Sequence, residues 1–363
     1  MSSLDLAILS RNRTECIRSV LFHVNSAAQE VDFPIVIRVF DSSDDSAFMI
    51  KAKIYSLYPH ISVFRLPNSN TMSENWNEAV KHGNSMYFAL ITDRTLVHPV
   101  FFLRIKYYLE NITSFDVVSW RWNISRFNNS TVPPRPQKLL VKKLNNKNIA
   151  KSLFCPYIFP FSYPYYLPRG LNSLISRNAL GKIKQVFGDY FSGINPDYTF
   201  AFKCLLCLEN VVFVNDTLFT STYLNSSNGG KSLNSLNYEY LKTINNSGQI
   251  LAKTGISLPL ISNSILADYL FVLEQLSDVQ LLELDIMLMS NVGYMAILIE
   301  VFKKYDIIPP TLRSDSIDLI ESKIRFISSE TLPWPANFAI FSLFALKLFS
   351  ITLLRNLRKC LDR

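Results

Sequence analysis

Apolar residues in the first hundred positions come in short blocks that alternate with segments of helical spacing. Leu4 to Leu9 is a strand-length apolar run that stops at Ser10-Arg11-Asn12-Arg13, and Cys16, Val20 and Leu21 follow at helical spacing. Pro34 to Phe40 is a second, β-branched strand, closed by Asp41-Ser42-Ser43-Asp44, with Asp44 as the N-cap of a helix from Ala47 to Leu57. His60 to Leu66 is a third strand and leads into an Asn68-Ser69-Asn70 turn. Ser73 to His82 has the composition of a short helix: Ser73 is its expected N-cap, and Trp76, Ala79 and Val80 share one face. Met86 to Ile91 is a buried strand that stops at Thr92-Asp93-Arg94-Thr95. Strand and helix alternating in this way predict one parallel α/β sheet.

The pattern loosens after Pro99. A helix over Phe101 to Leu109 precedes a strand, Phe115 to Ser119, continued by Trp120-Arg121-Trp122 with both tryptophans on one face. Asn123 to Lys151 is rich in Asn, Ser, Pro and Lys and reads as a loop or linker with a basic face. Cys155 to Pro168 places an aromatic at almost every second position among prolines, which excludes a regular helix. Helices are expected over Arg177 to Phe187 and from Pro196, with a strand at Asn210 to Asn215 and a further strand from Asp216. Beyond Ser232 the spacing is helical, at Ala267 to Leu276, Gln280 to Met289 and Val292 to Tyr305, until Pro309-Pro310 breaks it. Phe338 to Leu354 is apolar except for Lys347 and a few hydroxyls, and Arg355, Arg358, Lys359 and Arg363 follow it. Such a segment reads as a helix lying in a membrane face with its cations on anionic lipid, the alternatives being a single span with a basic cytoplasmic end or a buried bundle helix.

Composition narrows the class. A chain of 363 residues, 48% hydrophobic and 18% charged, forms a core, as one large domain with an appendage or as two domains. The net charge of +8 suits phosphorylated substrates, an anionic membrane surface or nucleic acid. The cations are scattered rather than clustered with aromatics, so nucleic acid is not the expected partner. Glycine, at 10 residues, is too scarce for a long phosphate loop, and five cysteines give no disulfide framework. Cys204 and Cys207, spaced C-x-x-C without a second pair, read as two core thiols. A polar Met1 to Asp5 predicts no signal peptide and a cytoplasmic chain, in which sequons such as Asn12 and Asn215 mean nothing.

In an open α/β sheet ligands bind outside the carboxyl ends of the strands, which makes Asp93 a site candidate by position alone. Ser73, Asn75, Trp76, Ala79 and Gly83, then Tyr87 to Ile91, Asp93 and Pro99, follow the order and spacing of a known family. On these residues the chain resembles glycosyltransferase family 2, over about residues 4 to 231. The resemblance implies a GT-A fold, Rossmann-like with a mostly parallel central sheet, in residues 1–231. Residues 232–363 would then be a helical C-terminal region with a membrane-associating helix at 338–354. It also implies an inverting transfer of a sugar from a nucleoside-diphosphate sugar to a glycan or lipid-linked acceptor, as in surface polysaccharide assembly at the inner face of a membrane.

Site residues follow from the same resemblance. Arg13, Asp41, Asn75, Asp93 and Arg94 would contact the nucleotide sugar, and Asp197, at the start of its helix, would be the catalytic base, with Asp189 as a rival. Tyr165, Tyr166 and Arg169 would stand on the acceptor side, because aromatic rings stack on sugar faces, and Lys231 is the local cation of the closing loop. The family holds Mn²⁺ or Mg²⁺ with two or three acids; here Asp93 is followed by Arg94 and Thr95, so a single carboxylate remains as metal ligand. Arg94 is expected to meet the diphosphate and replace part of the metal's charge. The alternative is a relative without catalysis that binds only nucleotide or glycan.

Overall fold

Within the first strand, β1 (Leu4–Ser10), all seven residues are buried. Leu4, Leu6 and Ile8 face one helical layer and the alternate positions face another, so the strand is covered on both sides, as in a parallel sheet. The computed structural model describes residues 3–124, 140–144, 167–222, 236, 238–244, 246–276, 290, 293–301, 304–309, 311–312 and 316–323. These fall into two compact units, one reaching residue 222 and the other starting at 236.

The first unit is α/β. After β1 come α1 (Thr14–Gln29), β2 (Ile35–Asp41), α2 (Asp45–Tyr55), β3 (Ser62–Arg65), α3 (Met72–Lys81), β4 (Tyr87–Thr92), β5 (Thr95–Val97) and α4 (Phe101–Asn111). Then follow β6 (Val117–Ile124), β7 (Val141–Lys143), β8 (Ser173–Ser176), α5 (Arg177–Phe187), α6 (Pro196–Cys207) and β9 (Val211–Ser221). The strands form one sheet in the order β3-β2-β1-β4-β8-β6-β9-β5, with β7 on β9. The sheet is mostly parallel: β1, β2, β3, β4, β6 and β9 run one way. β8, inserted between β4 and β6, runs the other way, as do β5 and β7. The sheet is thus the mostly parallel one expected, and β1 to β4, which the alternation of strand and helix assigned to one parallel sheet, all run the same way. β8 has only four residues, with serine at both ends, too few to show an alternation in the sequence.

Two local expectations are corrected. The N-cap of α3 is Thr71, not Ser73: the Thr71 hydroxyl accepts from the Glu74 N–H, and the Glu74 carboxylate accepts from the Thr71 N–H at 2.6 Å. Asn215-Asp216 does not divide the ninth strand. The Asp216 carboxylate accepts from Arg104 Nε at 2.7 Å and from the Tyr108 hydroxyl, both on α4, so the charge is matched where it stands. Register shifts on both sides of Arg121 interrupt the pairing of β6 with β9 there.

At the amino ends of the strands Asp5 is a buried hub. Its carboxylate accepts from the Ser85 N–H at 2.7 Å, from Arg38 and from Arg177 Nη2 at 3.2 Å, and Arg177 also donates to the carbonyls of Ser85 and Val80. Gly83 lies against this hub, and a Cβ there would stand 2.7 Å from both Arg177 Nη2 and Asp5 Oδ2. The Gly83→Ala protein is expected to lose about 1–3 kcal/mol, because the two side chains cannot both yield and keep their bonds. A urea unfolding midpoint unchanged from the parent would contradict this.

The second unit is helical in its described parts: α7 (Tyr238–Lys242), α8 (Ser247–Ala252), α9 (Ile261–Leu273), a helical stretch at 293–301 and a 3-10 turn at Tyr305–Ile307. The start of α9 lacks a cap of its own, and Glu300 supplies one, accepting from the N–H groups of Ile261 and Ser262 at 3.2 and 2.8 Å. Lys304 Nζ, 2.8 Å away, balances that buried carboxylate. Among the described residues no helix is long and apolar enough to cross a membrane. Gln280 to Met289 and Phe338 to Leu354 lie outside the described residues.

Candidate active site

The chain leaves β1 for β2 and β3 on one side and returns as β4 on the other, so the strand order reverses between β1 and β4. Their carboxyl ends are the place where such a sheet opens a crevice. Ser10 and Asp93 meet there. The Ser10 hydroxyl donates to Asp93 Oδ2 at 2.7 Å and the Arg11 N–H donates to the same oxygen at 3.3 Å. The other oxygen, Oδ1, accepts from Arg13 Nε at 2.7 Å and Nη2 at 2.6 Å. Asp93 is shut off from solvent while the Arg13 side chain is 29% exposed, so the pair presents its cationic end to the crevice.

One residue inward is a group that sequence reasoning missed. Lys51 of α2 is fully buried and its ammonium donates to the hydroxyls of Ser10 and Ser43, each at 2.7 Å, and to both Asp41 oxygens at 3.3 Å. Asp41 also accepts from the Tyr55 hydroxyl at 2.6 Å and the Ser43 N–H at 2.9 Å. Desolvation lowers the pKa of Lys51, with the Asp41 charge opposing it, and burial followed by the Asp41 charge raises that of Tyr55. The sequence signal for Lys51 was its spacing: it stands three and four residues before Ile54 and Tyr55, on the inward face of α2.

The loops are fastened to one another around this pair. Asn12 holds a left-handed backbone, φ 53°, and bridges to the loop after β2: its N–H donates to Ser43 Oγ and its side-chain oxygen accepts from the Asp44 N–H. Arg11 donates to the carbonyls of Asn68 and Asn70 in the loop after β3. Asn75 of α3 donates to Ser42 Oγ at 2.9 Å, while its Oδ1, buried, has no hydrogen-bond partner among the described residues. Arg94 is half-buried; its carbonyl accepts from Thr222 N and Oγ1 at 2.9 and 3.1 Å, and its Nε likewise has no partner. Burial first, then the charge of Arg13, lowers the Arg94 pKa. Cys16 points here too, but burial and the Asp93 charge push its thiol up to about 12, which keeps it protonated and unreactive.

The second half of the site is built on α6. Pro196 opens the helix and Asp197 follows in its first turn. Thr199 Oγ1 donates to the Ser192 carbonyl at 2.7 Å, and Phe200 stacks on Phe191 at 4.8 Å, which meets Trp76 of α3 edge-on at 5.0 Å. Asn77 adds three ties to the same loop, donating to the Phe191 carbonyl at 2.7 Å and accepting from the Tyr190 and Phe191 N–H groups, each at 3.0 Å. Thus α3 touches Ser42 through Asn75 and the α6 entry through Trp76 and Asn77.

Asp197 Oδ2 stands 3.4 Å from Arg169 Nη1, and the Arg169 guanidinium lies over the Tyr198 ring at 4.3 Å. Asn172 orders the Arg169 turn: its oxygen accepts from the Arg169 N–H at 3.0 Å, and its amide donates to the Trp120 and Leu167 carbonyls. Burial raises the Asp197 pKa above the ordinary 3.8 despite the lowering effect of Arg169. Asp189, the rival, is ion-paired with the buried Lys203, whose Nζ also donates to Ser192 Oγ at 2.8 Å. The structure thus brings together Arg13, Asp41, Asn75, Asp93 and Arg94 in one cluster, and Arg169 with Asp197 in a second. Tyr165, Tyr166 and Lys231 lie outside the described residues.

A divalent cation needs hard oxygens with lone pairs to spare. Asp93 gives both oxygens to its own chain, the positions after it are Arg94 and Thr95, and Asp41 is taken up by Lys51 and Tyr55. Among the described residues no group of three or more His, Cys, Asp or Glu could hold a metal ion. The donor set does not fit a protein-held Mn²⁺ or Mg²⁺.

No protein-family model matches the chain, and no curated protein matches it in sequence. Among solved structures it is similar to S. aureus TarS 1–349 in complex with UDP-GlcNAc, at 13% identity and a TM-score of 0.48, over 91% of this chain and 92% of that one. It is also similar to the mannosyltransferase PcManGT from Pyrobaculum calidifontis in complex with GDP-Man and Mn²⁺, at 10% identity and a TM-score of 0.47, over 96% and 83%. Glucosyl-3-phosphoglycerate synthase from Mycobacterium tuberculosis matches at 14% identity and a TM-score of 0.39, over 61% and 72%.

Proposed function

We propose that this protein is an inverting glycosyltransferase of GT-A architecture that moves a sugar from a nucleoside-diphosphate sugar to a glycan or lipid-linked acceptor. The observation that carries the reading is the approach of Arg13 and Arg94 at the β1/β4 reversal, in the same cluster as an Asn75 Oδ1 that has no donor among the described residues. A cationic crevice at that point of an open sheet suits a phosphorylated nucleotide.

In this reading Arg13 and Arg94 meet the phosphates, and Asn75 Oδ1 accepts from a ribose hydroxyl or base N–H. Asp41, locked by Lys51 and Tyr55, orients the nucleoside edge of the pocket through Ser42 and Ser43. Asp197 takes the acceptor hydroxyl proton as oxygen attacks the anomeric carbon, and the diphosphate leaves from the opposite face. Arg169 holds the Asp197 carboxylate in place and, with Tyr165 and Tyr166, belongs to the acceptor side. Residues 1–231 form the transferase domain in this proposal. Residues 232–363 are a helical region whose segment 338–354 lies against the inner face of a membrane, as surface polysaccharide assembly requires.

The test is release of nucleotide. The purified chain is incubated with UDP-, GDP- and dTDP-sugars in turn, with and without a panel of short glycans and polyprenyl-linked acceptors. Faster release from one donor when acceptor is added supports the reading; equal background release from every donor, in every mixture, refutes it.

A further inference from the structure

The charge balance of the crevice has a chemical meaning that the transferase reading alone does not require. Arg11, Arg13, Lys51 and Arg94 stand at the ends of β1, β2 and β4 or on the helix behind them, with Asp41 and Asp93 buried among them and Asp44 and Glu15 at the rim. Lys51 is matched to Asp41, and Arg13 is matched to Asp93 by two contacts on one oxygen. Arg94 has no carboxylate bonded to it among the described residues. Arg94 therefore stands without a bonded counter-ion among the described residues before any ligand arrives. A dication placed there would meet two guanidiniums at close range, and neither Asp41 nor Asp93 has an oxygen left over from its bonds among the described residues.

We infer that the donor's diphosphate is held by Arg13 and Arg94 directly, with Asp93 acting as the internal counter-ion that sets the Arg13 fork, so that donor binding needs no divalent cation. This rests on the nucleotide-sugar reading above. Guanidinium presents a planar fork that matches phosphate oxygens two at a time, and it stays charged when half-buried. Asp93 holds Arg13 through Nε and Nη2, which leaves Nη1 turned away from that grip. Arg94 Nε has no acceptor among the described residues, and the main chain of Arg94 is pinned by Thr222 next to the end of β9, which fixes the root of the side chain. The first turn of α1 follows Arg13 immediately, without a side-chain cap, and adds backbone N–H groups to the same anion. Bond making is unaffected by this assignment. As the anomeric carbon–oxygen bond breaks, its electron pair passes to the β-phosphate oxygen, and the two guanidiniums neutralise that charge.

The experiment is isothermal titration of the full chain with UDP, GDP, CDP and dTDP, and with the matching monophosphates, once in excess EDTA and once in excess Mn²⁺. One diphosphate is expected to bind in EDTA with a Kd that Mn²⁺ changes by less than about threefold, where a charge-assisted hydrogen bond alone is worth about ten- to a hundredfold. Arg94→Gln is expected to weaken that diphosphate by about ten- to a hundredfold and its monophosphate far less, with Arg94→Lys intermediate. Because the Arg94 side chain anchors nothing in the described fold, the variant's thermal midpoint should match the parent's. Binding seen only with Mn²⁺ would overturn the arginine clamp while leaving the transferase reading in place. Metal-free binding indifferent to Arg94→Gln would overturn the role of Arg94. If no nucleotide binds in either buffer, the nucleotide-sugar reading itself fails, and the clamp with it.

Discussion

Asp197→Asn is expected to leave nucleotide affinity at the parent value and to lower sugar transfer by about 10²–10⁴-fold, the usual contribution of a positioned base. The amide keeps the shape and still accepts a hydrogen bond from Arg169 Nη1, so the fold around α6 has no reason to move. What is lost is the capacity to take a proton. The same argument sets a pH profile. Only the ionised carboxylate acts as base, so kcat/KM falls as pH drops through the Asp197 pKa. Burial raises that pKa above the ordinary 3.8, so the acid limb stands at higher pH than for an exposed aspartate. A variant that retains transfer, or a parent profile flat down to that value, would assign the proton to another group. Asp189 would then be the next to substitute, although Lys203 holds it.

Lys51→Met should cost about 3–5 kcal/mol of stability, the largest loss expected from any single side chain in the cluster. Lys51 and Asp41 are both fully buried, and removing the cation leaves a carboxylate with no counter-charge in a place water does not reach. Methionine fills the same tube, so the effect is electrostatic rather than a cavity. That distinction is testable within the same series. Adding Asp41→Asn removes the stranded charge; its one oxygen still accepts from the Ser43 N–H and its amide NH2 can donate to the Tyr55 hydroxyl, so the double variant should recover most of the loss. Guanidinium unfolding midpoints of the parent, the single and the double variant decide it; a single variant as stable as the parent, or a double variant no better than the single, would mean the ion pair is not what holds the pocket.

The blocks of strand and helix were legible because β1 and β4 are buried on both faces and so are written as near-continuous apolar runs. Their polar ends marked where Arg13, Asp41 and Asp93 would meet. β8 was not legible, since its four residues acquire strand character only from β4 and β6 on either side of it. Nor was the unbroken β9, whose acid is matched by Arg104 from a helix more than a hundred residues away in sequence. Lys51 escaped for a related reason: a lysine inside a helix reads as solvated until its partners are known, and those partners lie on two other strands' ends. In each case the deciding neighbour is remote in the chain, and local pattern carries no record of it.

Helix α3 belongs to neither half of the chemistry, yet its ten residues set the gauge between them. Asn75 and Asn77 are two positions apart, which on a helix turns them about 200° away from each other, and each is bonded to a different side. A rigid spacer of this kind fixes how far a donor can sit from the group that deprotonates the acceptor. Enlarging the pocket for a bulkier sugar would therefore have to lengthen the loops at the ends of α3 and leave its middle turn alone.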